Sequence, residues 1–465
     1  MIDIQTDSRK IKKGDTFVAL KGISSNGDEY IDDAIKNGAA KVVVEKPGNY
    51  GVEAIVVEDT RKYLNDYLAS HYNKILNEMT IIGVTGTNGK TTDCYMMSEA
   101  LNKLGVKCAY IGTIGFYIDK ERICPLPNTT PDACDLYDLI IQAYDAGCKA
   151  VALEVSSNGL SWGRVKTIPF DYAGFTNLTH AHMEIHGTME EYAKAKQLLF
   201  KMLKPNGKAF INYDDEYKDY FILDGNDNYT YGFNGGDYHI IDYKVSNFET
   251  EFTYEYEGKK HTIQTELIGK YNVYNIMLPI MVLDKMGFSE EDIKRVIKTS
   301  TPPDGRMNII KYKTNRIIID YAHTPDGVEK AMDAVNEAKQ GLKGNLYTIF
   351  TCRGRRDRTM RPKMAKLAIE GSKIGIMTGD HQYDEDPKQI INDAVGNLEA
   401  KNYEVIWNRR DAVRRGIDLL KDEDILLILG KGYEKYNIIN GEKVPVDDIG
   451  AIEEYLKELD KITTA

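Results

Sequence analysis

Thr80-Ile81-Ile82-Gly83-Val84-Thr85-Gly86-Thr87-Asn88-Gly89-Lys90-Thr91-Thr92 is the stretch that decides the fold. Its first half, Thr80 to Val84, is apolar and partly β-branched and reads as a buried strand. From about Thr91 to Leu104 the pattern is helical, and Gly105 stops it. A glycine-rich turn between a strand and a helix N-terminus is a phosphate cradle. Its backbone N–H groups close around the anion, and the helix end adds a partial positive charge. Lys90 is placed to reach the β- and γ-phosphates, and the Thr91 hydroxyl to bind Mg²⁺. The general pattern has glycine five positions before Gly89. Val84 stands there, so a strand–turn–helix with incidental glycines is the competing reading.

The same rhythm spreads outward. Apolar strands at 150–155 and 172–176 alternate with helical stretches at 132–145 and 189–203, predicting a mostly parallel sheet with helices on both faces. Upstream, Lys41–Glu45 and Ala54–Val57 are short strands, and residues 60–78 form a polar helix bridging to the next unit. Residues 237–267 break the rhythm: Thr253–Glu257, Gly258-Lys259-Lys260 and His261–Thr265 read as an antiparallel hairpin. Helix returns at 271–286, ends at Gly287, and restarts after Ser289, with Asp292 as a capping-box partner. Beyond Thr301-Pro302-Pro303-Asp304, strands at 317–319, 347–350, 374–377, 405–407 and 425–429 between helices predict a second doubly wound α/β unit. The prediction is an α/β chain of three domains: 1–77, 78–300 (a parallel sheet with an antiparallel addition) and 301–465 (Rossmann-like).

Composition agrees. A chain of 465 residues suits about three domains at roughly 100–200 residues each. With 60 Lys+Arg against 71 Asp+Glu the net charge is −11, which disfavours general binding to nucleic acid or anionic membrane. The polar start lacks a signal core, and the longest apolar run, Ile425 to Leu429, is far below the ~20 residues of a membrane helix. The six cysteines form no CxxC pair, so reduced thiols in a cytoplasm are expected.

Other stretches carry chemistry. Glu154 closes the strand before Val155-Ser156-Ser157, at the strand end where α/β sheets place ligands. His180, His182 and His186 follow the 172–176 strand; on spacing alone they are polar loop residues, and Mg²⁺ prefers oxygen. Asn272 opens a helix and is by itself an ordinary cap. Asp320 ends a strand beside a Pro325-started helix.

Thr85-Gly86-Thr87-Asn88-Gly89-Lys90-Thr91 resembles the phosphate loop of the Mur ligase family, and the resemblance runs down the whole chain. It is strongest to the branch acting on UDP-N-acetylmuramoyl-dipeptide. It implies three domains: one for the uridine nucleotide, a central ATPase, and a C-terminal Rossmann-like one. It also implies ATP binding by Gly86, Thr87, Asn88, Gly89, Lys90, Thr91 and Thr92, with Asn272 and Asn275 (Gly-x-x-Asn-x-x-Asn) on the adenine side. Arg306 would face the phosphates and Asp320 the ribose. A second Mg²⁺ would sit on Glu154 and His182 beside a carbamylated Lys196. Lys194 is the nearby alternative, though Lys196 fits the spacing. Ser8, in Asp7-Ser8-Arg9, would contact uridine; Asn128, Thr129, Thr130, Ser156 and Arg164 would contact the muramoyl-peptide. Here the chain departs from the family at Ala181, Glu184, Asn158 and Trp162.

For the incoming amino acid, a family motif Asp-Asn-Pro-Arg that reads the distal carboxylate of diaminopimelate is replaced by Asp380-His381-Gln382-Tyr383. The fork-shaped arginine suited to that task is absent, so diaminopimelate is disfavoured. Arg356 keeps the place of an α-carboxylate ligand, with Asp380, His381 and Gly430 nearby. Glu434 keeps the place of the residue that grips a distal amine, which favours L-lysine or another diamino acid. Arg353 and Arg355 are extra cations pointing instead to an acidic group. Tyr433 replaces a usual histidine. The implied activity is ATP-dependent ligation of a free amino acid to UDP-MurNAc-dipeptide through an acyl phosphate, by a cytoplasmic monomer serving peptidoglycan synthesis. The alternatives are a Mur-like ligase for another carboxylate, or a degenerate homologue with a nucleotide-binding or scaffold role.

Overall fold

The computed structural model describes residues 2–22 and 26–464. By packing, the chain forms two compact units. One holds the residues up to 240 together with 255–259 and 274–296; the other holds 241–254, 260–273 and the residues from 297 on.

The first unit begins with a four-stranded, all-parallel sheet: Ile4–Gln5, Thr16–Val18, Lys41–Val44 and Glu53–Val56. The period of two along a strand divides its side chains between two cores. Val42 and Val44 pack with Phe17, Ile31 and Ala34, whereas Val43 joins Ile4 and Val18 on the opposite face. The helix Thr60–Asn77 follows. Asp59 caps it, accepting from the N–H groups of Arg61 and Lys62 at 2.9 Å each. Leu64, Leu68 and Leu76 lie in one core with Tyr137 and Ile140 of the helix Ala133–Asp145, so this polar helix is anchored by one apolar stripe.

The central strand Thr80–Thr85 runs parallel between Ala150–Glu154 and Phe170–Phe175. Cys108–Gly112 extends the sheet in parallel beyond Ala150–Glu154, and Gly115–Ile118 and Glu121–Cys124 close that edge antiparallel. The helical stretch expected at 189–203 ends sooner. The helix spans Met189–Gln197, a 3-10 turn Phe200–Met202 follows, and Leu203–Asn212 is already a strand parallel to Phe170–Phe175. The expected hairpin is present as Glu249–Tyr256 and Lys259–Thr265, joined by Glu257 and Gly258 at φ +49° and +73°. Ser289 accepts from the N–H of Asp292 at 3.2 Å and donates to its carboxylate at 2.8 Å, capping Glu290–Lys298 as read.

The second unit carries a six-stranded sheet in the spatial order Asn308–Tyr312, Asn315–Asp320, Ile425–Leu429, Leu346–Thr351, Ile374–Thr378, Tyr403–Val405. Only the first pairing is antiparallel. Ile317, Ile319, Ile349, Leu426 and Ile428 face one core, while Ile318, Phe350, Leu427 and Leu429 face the other. Strands buried on both faces read as unbroken apolar runs, as these do. The strand expected at 405–407 lies at 403–405, because the Trp407 carbonyl instead accepts from the N–H of Gly379. Among the described residues no helix is long and apolar enough to cross a membrane.

This sheet is locked by a buried ion pair. Arg409, 2% exposed at its side chain, forms a two-pronged contact with Asp448 (1%) at 2.7 Å on both prongs and donates to the Leu429 carbonyl at 2.9 Å. Removing one partner strands a charge in the core, at a cost of about 3–5 kcal/mol. Asp448→Ala is therefore expected to lower stability by about that amount, read by urea unfolding. A loss under about 1 kcal/mol would mean water already screens the pair.

Candidate functional site

The phosphate loop leaves the carboxyl end of the central strand, with Gly86-Thr87-Asn88-Gly89 leading into the helix Lys90–Lys103. Backbone shape demands two of its glycines. Gly86 has φ +148°, and a Cβ there would stand 1.9 Å from the Thr176 hydroxyl. Gly89 has φ +94°, and its Cβ would meet the Asn275 amide oxygen at 2.7 Å. The segment after strand Phe170–Phe175 braces the loop. Thr176 donates to the Asn88 carbonyl at 2.6 Å, Asn177 accepts from the N–H of Asn88 at 3.0 Å, and the N–H of Thr179 donates to the Thr87 hydroxyl at 3.0 Å. Reading the sequence for histidines in this segment missed that role, although Thr176-Asn177 directly follows a strand end.

Two lysines converge on one carbonyl. Lys90 Nζ donates to the Gly86 oxygen at 2.9 Å and to the Thr87 oxygen at 3.0 Å, and Lys196 Nζ donates to the same Gly86 oxygen at 2.7 Å. Lys196 is 1% exposed. Burial, and secondarily the charge of Lys90, pushes its amine well below the ordinary lysine range. It lies 4.6 Å above the Tyr192 ring, whose other neighbours are His182 at 6.0 Å and His186 at 5.0 Å between ring centroids. His182 itself is exposed, at φ +58° before the short helix Met183–His186.

Glu154 is fully buried in a ring of donors. Thr91 and Thr113 hydroxyls reach its Oε2 at 3.0 Å each, the Thr113 N–H reaches Oε1 at 2.9 Å, and the Tyr110 hydroxyl donates to Oε1. Tyr110 and Thr113 were not foreseen. The expected sugar-peptide residues join this network. Thr129 contacts Thr113 at 3.0 Å between hydroxyls, and the Thr130 hydroxyl donates to the Glu154 carbonyl at 2.8 Å and lies 3.0 Å from that of Ser156. Arg164 donates to the Thr130 carbonyl at 2.8 Å and pairs with Asp132 at 2.8 Å. Asn128 is exposed, and Ser8 is buried in the turn Ser8–Lys10, its carbonyl accepting from Asn37. One further carboxyl escaped the sequence reading. Asp93, in the first turn of the loop's helix, is fully buried with neither oxygen hydrogen-bonded, and burial pushes its carboxyl well above the usual range.

In the second unit Asp320 accepts from the N–H groups of Met307 at 2.9 Å and Ala322 at 2.8 Å. Arg306 lies 4.9 Å over the Tyr321 ring, and its buried Nε lacks a hydrogen-bond partner. Asn272 is spent locally, donating to the Ile268 carbonyl at 2.8 Å.

Of the residues expected to read the amino acid, Asp380, His381, Gly430 and Glu434 meet, with unforeseen company. Arg353 Nε donates to Asp380 at 3.0 Å, and its terminal nitrogens donate to Glu434 at 2.7 Å, the Gly430 carbonyl at 2.8 Å and the Tyr321 hydroxyl at 3.3 Å. Lys431 lies 2.9 Å from Glu434 and 3.2 Å from Asp380. The N–H of Ile438 donates to Nδ1 of His381 at 2.8 Å, which leaves Nε2, 3.2 Å from Glu434, to carry a proton. Burial alone would raise Glu434, but the His381 hydrogen bond and the Arg353 and Lys431 charges hold it well below the usual range. Glu434, expected to grip a distal amine, and Arg353, expected to meet an acidic group, hold each other in this structure. Arg355 is exposed and pairs with Asp384 at 2.7 Å, and Arg356 is exposed. Asp380, His381 and Glu434 offer metal-type ligand atoms within 4.8 Å, but the two cations already occupy their charge.

Known proteins carry the same plan. The models of the Mur ligase family catalytic domain, the Mur ligase middle domain and the Mur ligase glutamate ligase domain match residues 3–77, 84–283 and 305–432. The chain is 35% identical, over 98% of its length and 95% of the relative's, to UDP-N-acetylmuramoyl-L-alanyl-D-glutamate–2,6-diaminopimelate ligase 1 of Clostridium acetobutylicum. It is 37% identical to the corresponding ligase of Fusobacterium nucleatum, covering 96% and 92%. A solved UDP-N-acetylmuramoyl-L-alanyl-D-glutamate–2,6-diaminopimelate ligase superposes with a TM-score of 0.73 at 29% identity, covering 98% and 95%. The MurF ligase of Thermotoga maritima in complex with ADP shares the fold at TM-score 0.66 and 19% identity, covering 98% of each chain. A four-stranded parallel sheet, a mixed sheet that carries the phosphate loop and a mostly parallel six-stranded sheet make up the three-domain α/β architecture of these proteins, and the chain belongs to the Mur ligase family of ATP-dependent acid–amino-acid ligases.

Proposed function

We propose that the chain adds the third amino acid to UDP-N-acetylmuramoyl-L-alanyl-D-glutamate during peptidoglycan precursor synthesis in the cytoplasm. The supporting observation is the buried Lys196 amine on the phosphate loop, together with full-length relatives named for that reaction. Segment 1–77, with Ser8, takes the uridine nucleotide; 78–300 takes ATP; 301–465 takes the amino acid. The γ-phosphoryl group of ATP passes to the D-glutamate carboxylate, giving an acyl phosphate and ADP. The α-amine then attacks the acyl carbon, phosphate leaves, and the amine loses a proton. Such a transfer is catalysed mostly by positioning and charge.

Lys90 and the Gly86–Thr92 backbone bind the phosphates, and Arg306, whose buried Nε lacks a hydrogen-bond partner, is a further donor for phosphate. Asn272 and Asn275 line the adenine side and Asp320 the ribose. Thr129, Thr130, Ser156 and Arg164 hold the muramoyl-peptide. Thr91, Glu154, His182 and a carbamylated Lys196 would hold two Mg²⁺, which would supply charge neutralisation. A neutral Lys196 amine attacks CO₂, forming a carbamate and releasing a proton, and so puts an anion where a buried neutral amine stood. Diaminopimelate stays disfavoured, since Gln382 and Tyr383 stand where the Pro and Arg of the family motif would be. The case for lysine turns on Glu434.

A ligation assay with UDP-MurNAc-dipeptide, ATP, Mg²⁺ and a panel of amino acids is expected to yield an amide product and ADP. ATP turnover without amide for every amino acid, or none at all, would leave a scaffold or a different carboxylate as the function. Lys196→Ala is expected to lose about a hundredfold or more in kcat and to regain part of it with added short carboxylates. Full activity in that variant would remove the carbamate from the mechanism.

A further inference from the structure

Arg353 has every N–H of its guanidinium committed. Nε–H goes to Asp380; one terminal nitrogen faces the Tyr321 hydroxyl at 3.3 Å and Glu434 at 3.5 Å; the other holds the Gly430 carbonyl at 2.8 Å and Glu434 at 2.7 Å. Its side chain is 6% exposed, and those of Asp380 and Lys431 are fully buried. Lys431 gives the same two carboxylates a second partner. Tyr321 completes Glu434, donating to Oε1 at 2.9 Å. Two acids and two bases therefore cancel within one cluster.

We propose that Arg353 is the specificity-determining residue of the amino-acid pocket: a built-in cation that takes the place of a ligand's distal ammonium, so that the pocket selects an amino acid with an uncharged side chain. The inference rests on the assignment of this pocket to the incoming amino acid. A lysine-like side chain must shed the water around its ammonium and find a carboxylate in return. Both carboxylates already hold Arg353 and Lys431, and a third cation beside them meets repulsion at short range. A distal carboxylate fares no better, because Arg353 has no N–H left to offer it. Diaminopimelate, carrying both groups, meets both obstacles. An uncharged side chain loses nothing on entry and leaves the cluster intact. The exposed Arg356 remains for the α-carboxylate that every amino acid carries.

The test is kcat/KM of the full chain with UDP-MurNAc-dipeptide and ATP for L-alanine and L-serine against L-lysine, L-ornithine and diaminopimelate. The wild type is expected to favour the uncharged pair by roughly tenfold or more. Arg353→Gly, which frees Glu434 and Asp380, is expected to shift the lysine-to-alanine ratio toward lysine by a similar factor. Arg353→Lys, which keeps the charge, is expected to leave the ratio near that of the wild type. A wild type that prefers a diamino acid, or a ratio unmoved in Arg353→Gly, would overturn the proposal while leaving the ligase reading standing. Should Arg353→Gly fail to fold by thermal unfolding, the wild-type ranking and Arg353→Lys decide the matter. Absence of product with every amino acid would overturn both.

Discussion

The first unit is organised around one backbone oxygen. The Gly86 carbonyl accepts from Lys90 at 2.9 Å and from Lys196 at 2.7 Å, and two ammonium groups that close repel unless an anion joins them. Burial resolves the conflict on one side by favouring the neutral amine at Lys196. The geometry needs a residue without a Cβ at Gly86, a strand end that delivers it there, and a brace from Thr176 and Asn177. Each of those follows from Thr80–Thr85 being flanked on both sides by parallel strands, which sets all the carboxyl ends at one edge.

The two polar centres treat charge in opposite ways. Around Glu154 the partners are hydroxyls and a backbone N–H, which satisfy the carboxylate without cancelling its charge. That leaves it able to attract a cation. Around Glu434 the partners are Arg353 and Lys431, which cancel it. Hydrogen-bonded but uncompensated suits a residue that must meet a metal or a changing charge. Compensated, the carboxylate offers little net charge to an incoming cation. The same side-chain type thus has different chemistry depending on what shares its cavity.

The sequence carried most of the fold because its signals are periodic and local. The Ile425–Leu429 strand, the Thr60–Asn77 helix and the Ser289 cap stand almost where patterning placed them. Errors fell at element ends, as at 189–203 and 405–407, where a tertiary hydrogen bond rather than propensity decides the last residue. Motif residues on the phosphate loop were legible because a turn between strand and helix has few alternatives. Tyr110, Thr113 and Asp93 were not, since nothing in a linear pattern says which hydroxyl from a neighbouring strand will face a carboxylate. Arg353 was visible as an extra cation, but its direction was not. A long side chain on a loop can point outward to a ligand or inward to its own acids, and only the burial of Asp380 settles which.

That inward turn is also the energetically consistent one. Asp380 and Glu434 follow the strands Ile374–Thr378 and Ile425–Leu429, one on each side of Leu346–Thr351, at the carboxyl edge of a sheet whose strands are buried on both faces, a poor place for two uncompensated negative charges. A chain that keeps both acids must supply cations from a ligand or from itself. A pocket relying on the ligand carries the charge penalty whenever it is empty. Supplying Arg353 and Lys431 removes the penalty from the free protein, and with it the electrostatic reward for binding a distal ammonium. Stability of the empty site and selectivity for a diamino acid are therefore opposed at this position, and the inward-turned Arg353 moves the chain toward the first.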